Sequence, residues 1–140
     1  MTDTDSHASR LQAQLEDSPF HQLFQMTIAS VDTAAQTLAL RLDFTSAVER
    51  QAGTGQYHGG AIASLIDIAG DYALIAILGH GVPTINFRVD YLRPASGAAL
   101  VATATVRRAG RTVGVVDIDV EDDAGRLVAI GRGCYGTQAG

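Results

Sequence analysis

The sequence predicts an α+β protein in which a curved antiparallel sheet wraps around one long apolar helix. The first observation is a nearly continuous apolar run over residues 60–78, whose only acidic or basic side chains are Asp67 and Asp71. The second is a two-residue alternation of apolar and polar side chains in the segments on both sides of that run. A helix that is apolar on nearly all sides must be buried, and strands with one apolar face each can enclose it.

The alternating segments predict half-buried strands and fix the order of the elements. The candidate strands cover residues 24–31, 38–44, 84–91, 100–107, 116–121 and 127–137. A short helical turn after Pro19 leads into the first of them. Polar, glycine-containing segments at residues 107–112 and 121–126 predict hairpin turns. The expected order is two strands, the long helix and then four strands.

The chain of 140 residues fits one domain that is large enough to bury a core. Leu11 and Leu15 lie four residues apart near the start, which predicts a weak amphipathic helix over residues 8–16. We therefore expect residues 1–18 to be a weak helix or disordered, and residues 19–140 to form the single domain.

Composition narrows the classes of function and the compartment. The net charge is -5 and none of the 10 basic residues is a lysine, so no basic excess favours nucleic-acid binding. The single cysteine, Cys134, fits a reducing compartment. Because the first residues contain no apolar signal segment, the expected location is the cytoplasm. Residues 60–78 are long enough to span a bilayer, but their two aspartates and the strand-rich remainder favour a buried helix of a soluble protein.

The start of the predicted helix, His58-Gly59-Gly60, has the residue types that acyl-transfer chemistry needs. Glycines at a helix start leave main-chain N–H groups open and let a ligand approach closely. Those donors and the positive end of the helix dipole suit an oxyanion that develops on a thioester carbonyl. Asp67, deeper in the helix, can act as a general base or as a nucleophile. The alternative roles are structural: a helix cap for His58 and a satisfied buried acid for Asp67.

The chain resembles the hotdog-fold acyl-CoA thioesterases, in particular the branch of the phenylacetic-acid-degradation thioesterases. The resemblance spans about residues 20–137 and rests on HGG at residues 58–60, an acid nine positions after the histidine, and DYLRPA at residues 90–95. It implies the hotdog fold, hydrolysis of an acyl- or aryl-CoA thioester without a metal or a cofactor, and assembly into homodimers or homotetramers. Signatures of the hydratase branches of this fold are not found in the sequence.

The resemblance also implies roles for individual residues. The Gly59 amide donates to the oxyanion, Asp67 acts as base or nucleophile, and His58 orients the loop or the substrate. Thr84 helps to position the attacking water, although it could be an ordinary strand residue. These four residues form the predicted catalytic group.

Further polar residues are candidate contacts to the substrate. Family members commonly carry asparagine six residues before the histidine, where this chain has Ala52, and Gln51 lies beside it. Gly60 and Asp71 lie on the helix, and Asp71 has the simpler interpretation of pairing with an arginine or another polar group from another strand or subunit. If the two aspartates share a pocket, one of them acquires a raised pKa.

Arginine suits the phosphates of coenzyme A because it makes bidentate contacts. The arginines considered are Arg88, Arg93, Arg108 and Arg111, and Arg88 and Arg111 complete the predicted substrate site. The alternative for each of them is an ordinary solvated side chain.

The spacing along the helix predicts a site shared between subunits. Asp67 lies seven residues after Gly60, which is roughly 10 Å at 1.5 Å per residue, so one chain cannot apply both groups to one carbonyl. An antiparallel partner helix would bring Asp67 of one subunit to the Gly59 amide of the other, and the resemblance implies the same arrangement. The competing function is a non-catalytic acyl-CoA binding or sensing module on the same fold.

Overall fold

In the part of the chain that the structure describes, an antiparallel sheet of six strands curves around one central helix. The strands are β1 (Met26–Asp32), β2 (Thr37–Asp43), β3 (Thr84–Tyr91), β4 (Ala99–Ala109), β5 (Val113–Asp122) and β6 (Leu127–Gly136). The computed structural model describes residues 3–139 and places these strands in the order β1-β2-β4-β5-β6-β3. The predicted α+β hotdog architecture is confirmed, and every predicted strand is present with its bounds shifted by a few residues at most.

The central helix α2 (Gly59–Leu78) packs on the concave face of the sheet and forms the core with it. Leu65, Ile66 and Leu74 have no exposed surface. The helix ends at Gly79, which takes the left-handed conformation with φ 81°. Within residues 3–139, α2 is the one helix long and apolar enough to cross a membrane, and most of it is buried inside the protein. It is the buried core helix that the sequence predicts.

The N-terminal segment forms helix α1 (Asp3–Glu16). Leu11 and Leu15 are buried, and Gln12 ties the helix to β1 by accepting from the Ile28 N–H at 2.6 Å. The helix starts five residues before the predicted one because its first turns are polar and exposed, so they add nothing to the apolar periodicity. A 3₁₀ turn (Phe20–Leu23) follows Pro19, as expected.

Strand β3 lies at one edge of the sheet and contains a bulge that positions the site. Its pairing with β6 shifts register between Thr84 and Asn86, which makes Ile85 the extra residue. On a regular strand Thr84 and Tyr91, seven residues apart, would face opposite sides of the sheet. Because of the bulge, both side chains reach α2.

Candidate active site

The site begins at the first turn of α2, where His58 is the N-cap. The His58 Nδ1 atom accepts a hydrogen bond from the Gly60 N–H at 2.8 Å. No group within residues 3–139 accepts a hydrogen bond from the Gly59 N–H. His58 therefore caps the helix, and one main-chain donor stays open at the positive end of this 20-residue helix.

Tyr91, at the end of β3, holds this first turn in place. Its hydroxyl donates to the Gly59 carbonyl oxygen at 2.7 Å. A Cβ atom on Gly59 would lie 3.3 Å from the Tyr91 ring, so glycine makes this close approach possible. From the sequence alone, Tyr91 is expected only as a strand residue and as part of the motif at residues 90–95.

Asp67 lies about two turns further along α2 and is held by Thr84 of β3. The Thr84 hydroxyl donates to the Asp67 Oδ1 atom at 2.8 Å, and the pair is partly buried. This hydrogen bond fixes the orientation of the Asp67 carboxylate. The structure thus joins two of the residues that the sequence predicts to be catalytic.

The main chain of Asp67 is held as well, by a residue that sequence reasoning missed. The Tyr135 hydroxyl donates to the Asp67 carbonyl oxygen at 3.0 Å, and Tyr135 has no exposed surface. Burial above all, and then the carboxylates of Asp67 and Asp71, raise the pKa of Tyr135, so its hydroxyl stays protonated. In the sequence Tyr135 is one apolar position of a strand, and no pattern links it to a helix 68 residues away.

Asp71 follows one turn later, and its Oδ1 atom is buried without a hydrogen-bond partner within residues 3–139. Burial, and next the charge of Asp67, raise the pKa of Asp71 to about 7. The expectation that a group from another strand pairs with Asp71 does not hold for this oxygen within residues 3–139. Arg88 and Arg132 are exposed and pair with Asp90 and Asp117 instead. In the described part of the chain, no three His, Cys, Asp or Glu side chains are grouped to hold a metal ion.

Three predicted substrate contacts lie away from these groups. Gln51 is exposed in the loop before α2, and its carbonyl oxygen accepts from the Thr54 hydroxyl at 2.7 Å. Arg88 forms an exposed salt bridge with Asp90 at 2.8 Å. Arg111 is exposed in the turn between β4 and β5. Within residues 3–139, none of these three side chains forms a hydrogen bond or a salt bridge with Gly59, Asp67 or Asp71.

A groove of about 690 Å³ adjoins the start of α2. Its walls include Gly59, Arg50 and Arg93. Arg93 was among the arginines considered from the sequence, whereas Arg50 was not. The feature of the sequence that could have pointed to Arg50 is the glycine-rich segment at residues 53–55. The chain turns back there, so that the Arg50 N–H donates to the Gln56 carbonyl oxygen at 2.8 Å. Two arginines beside an open amide suit a phosphate-bearing ligand.

Comparison with known proteins assigns this chain to a family. The thioesterase superfamily matches residues 54–129. A protein of Halobacterium salinarum, VNG_1336C, is named as an unconfirmed esterase. It is 37% identical over 145 residues, which cover 95% of this chain and 93% of its own length. The chain belongs to the thioesterase superfamily.

Two enzymes of Escherichia coli are also similar. The acyl-coenzyme A thioesterase PaaI is 33% identical over 126 residues, covering 81% of this chain and 89% of PaaI. The structure of PaaI superposes with a TM-score of 0.83 at 26% identity, over 99% of this chain and 98% of PaaI. The medium/long-chain acyl-CoA thioesterase YigI is 30% identical over 93 residues, covering 56% of this chain and 60% of YigI. The predicted resemblance to hotdog-fold, PaaI-like thioesterases is confirmed.

Proposed function

We propose that the protein is an acyl-CoA thioesterase that hydrolyses an acyl- or aryl-CoA thioester to the free acid and coenzyme A. The observation that carries the proposal is one helix with an open amide at Gly59 and a carboxylate at Asp67 fixed by Thr84. The names of PaaI and YigI support coenzyme A thioesters as the substrate class. The cytoplasm, where such substrates occur, is the proposed location.

The proposed chemistry uses the carboxylate and the amide on opposite sides of one carbonyl group. As a general base, Asp67 removes a proton from a water molecule that attacks the thioester carbon, and Thr84 orients the carboxylate. The Gly59 N–H and the helix dipole stabilise the oxyanion that forms. The carbon–sulfur bond then breaks, and the sulfur of coenzyme A takes up the proton. In the alternative route, Asp67 attacks the carbon directly, the carbon–sulfur bond breaks to release coenzyme A as the thiolate, and water hydrolyses the resulting anhydride.

A second copy of the chain supplies the missing half of this site. The amide and the carboxylate of one chain are more than two helical turns apart, so a partner must provide one of them. The outer edge of β3 offers unpaired main-chain groups and the exposed side chains of Ile85, Phe87 and Tyr91. Pairing of two β3 edges about a two-fold axis gives a homodimer, and two dimers can form a tetramer.

The groove beside Gly59 is the proposed location of the coenzyme A phosphates. Arg50 and Arg93 provide positive charge within reach of the open amide. Arg88 and Arg111 remain candidate contacts only through a partner subunit, because they lie away from this groove.

Replacing Asp67 by asparagine tests the proposed function. The Asp67→Asn side chain keeps the shape but loses the base or nucleophile, so we expect thiol release from an acyl-CoA panel to fall about a hundredfold or more while binding persists. Asp119→Asn, an exposed change on β5, is the control for the loss of one negative charge. Hydrolysis by Asp67→Asn at the wild-type rate would contradict the assignment. A wild-type protein that binds the esters but cleaves none of them would be the non-catalytic binding module.

A further inference from the structure

We propose that Tyr135 is a positioning residue for Asp67, which it holds through the main-chain carbonyl, and that Gly70 and Gly133 form the slot that admits its ring. This inference rests on the proposed function, in which the Asp67 carboxylate takes part in thioester hydrolysis. Tyr135 itself does not touch the substrate in this scheme.

The first support is that two bonds from one place in the sheet converge on Asp67. Thr84 and Tyr135 are directly paired across β3 and β6. The Thr84 hydroxyl binds the Asp67 side chain at 2.8 Å, and the Tyr135 hydroxyl binds its main-chain carbonyl at 3.0 Å. The side chain and the main chain of this residue are therefore fixed independently by neighbouring positions at one edge of the sheet.

The second support is the pair of glycines around the Tyr135 ring. A Cβ atom on Gly70 would lie 2.9 Å from the Tyr135 Cζ atom, and one on Gly133 would lie 2.7 Å from it. Real Cβ contacts are not this short, so any larger residue at either position would displace the ring. Glycine is, after proline, the least favourable residue inside a helix, yet Gly70 lies in the middle of α2. Its absent side chain makes room for Tyr135 in the turn that begins at Asp67.

The hydrogen bond from Tyr135 fixes the helical turn that carries the Asp67 carboxylate to the sheet. Inside a helix the Asp67 carbonyl is expected to accept from the N–H four residues later, and this bond fixes the turn only along the helix axis. The Tyr135 hydroxyl adds a bond from the sheet, with its proton retained beside two carboxylates. Because a misplacement of about 1 Å can lower the rate of an enzyme by roughly a hundredfold, such an anchor affects turnover more than substrate binding.

The test compares two substitutions, each of which removes one buried hydroxyl group. Tyr135→Phe keeps the ring and removes the donor to Asp67. Thr137→Val is the matched control, since the buried Thr137 hydroxyl, one residue after the end of β6, donates to the Gly110 carbonyl oxygen at 2.6 Å and not to the helix. With the best substrate of an acyl-CoA panel, we expect Tyr135→Phe to lower kcat roughly tenfold with KM unchanged within about twofold. We expect Thr137→Val to change kcat by less than about twofold, even where both variants lose similar thermal stability.

Two further variants separate the possible outcomes. Gly70→Ala adds a methyl group that displaces the ring, so it should reproduce the selective loss of kcat, and it replaces Tyr135→Phe if that variant does not fold. Asp67→Asn is assayed in the same series. If Asp67→Asn is inactive while Tyr135→Phe and Gly70→Ala keep the kcat of Thr137→Val, the positioning role is wrong and the proposed function is unaffected. If Asp67→Asn is fully active, the proposed catalytic site is itself wrong.

Discussion

At the scale of single residues, Asp67 and Asp71 are one helical turn apart yet have opposite surroundings. Asp67 accepts a hydrogen bond from Thr84, whereas the buried oxygen of Asp71 has no donor in the described part of the chain. An ionised carboxylate is costly to bury without donors, and a like charge nearby raises that cost. A bound proton is therefore the simplest way for Asp71 to remain in the fold, in agreement with its pKa of about 7.

This proton makes stability depend on pH, and the sign follows from linkage. In the unfolded chain an aspartate loses its proton near pH 4, while in the folded chain Asp71 keeps it until about pH 7. Between these values the folded state holds more protons, so the contribution of Asp71 to the free energy of unfolding falls as the pH rises, and its penalty is complete above about pH 7. We expect Asp71→Asn to be more stable than wild type at pH 8 by about 1–3 kcal/mol, with a smaller gain at pH 5.

Urea unfolding at both pH values and at one protein concentration measures this difference. Asp119→Asn, which changes an exposed aspartate of β5, corrects for the loss of net charge. An Asp71→Asn gain that is equal at pH 5 and pH 8 would show that Asp71 is not protonated in the folded protein.

At the scale of elements, strand β3 is both the wall of the site and the proposed interface. Phe87 is 39% exposed on this edge strand, and a charge there would be buried by an edge-paired partner. We expect Phe87→Asp to convert the dimer to a monomer in sedimentation and to lower thioesterase activity in parallel, by about tenfold or more. Leu23→Asp, at an apolar residue that is 62% exposed outside the sheet, is the control. A Phe87→Asp protein that stays dimeric would exclude this edge as the interface.

The elements also show what the sequence could and could not predict. Alternation reports which side of a sheet a residue faces, so all six strands and the buried helix were predictable. Periodicity within one segment carries no information on which distant segment lies opposite. The bond from Tyr135 to Asp67 and the fold-back that brings Arg50 to the helix start were therefore not predictable from it. The bulge at Ile85 was missed because an extra apolar residue at the start of a strand looks like continued alternation.

At the scale of the whole molecule, we expect that the proposed site can be reconstituted from two defective chains. Gly59→Pro removes the N–H donor at the first helical position, which accepts proline, and His58 has the extended φ −65° and ψ 138° that suit a residue before proline. Gly59→Ala places a similar atom against Tyr91 but keeps the N–H, so it is the matched control. We expect Gly59→Pro to be much less active than Gly59→Ala.

A mixture of Gly59→Pro and Asp67→Asn chains should recover activity that neither has alone. In a mixed dimer one site combines an intact amide with an intact carboxylate, and the other site lacks both. Equal amounts of the two chains give mixed dimers in about half of the molecules, so we expect about a quarter of the wild-type rate after exchange. Differently tagged chains allow the mixed dimer to be isolated. A mixed dimer with no activity would show that each chain carries its own site.

The bulge at Ile85 has a consequence for which changes in chain length this fold can accept. Thr84 reaches Asp67 and Tyr91 reaches Gly59 only because the strand between them holds one residue more than its pairing with β6 requires. Removing or adding one residue there would turn one of the two anchors to the outer surface. A residue gained or lost in the connection between Gly79 and Thr84 changes only how the chain crosses from the helix to the sheet. Insertions and deletions among descendants of this chain should therefore accumulate in that connection, while the count from Thr84 to Tyr91 stays constant.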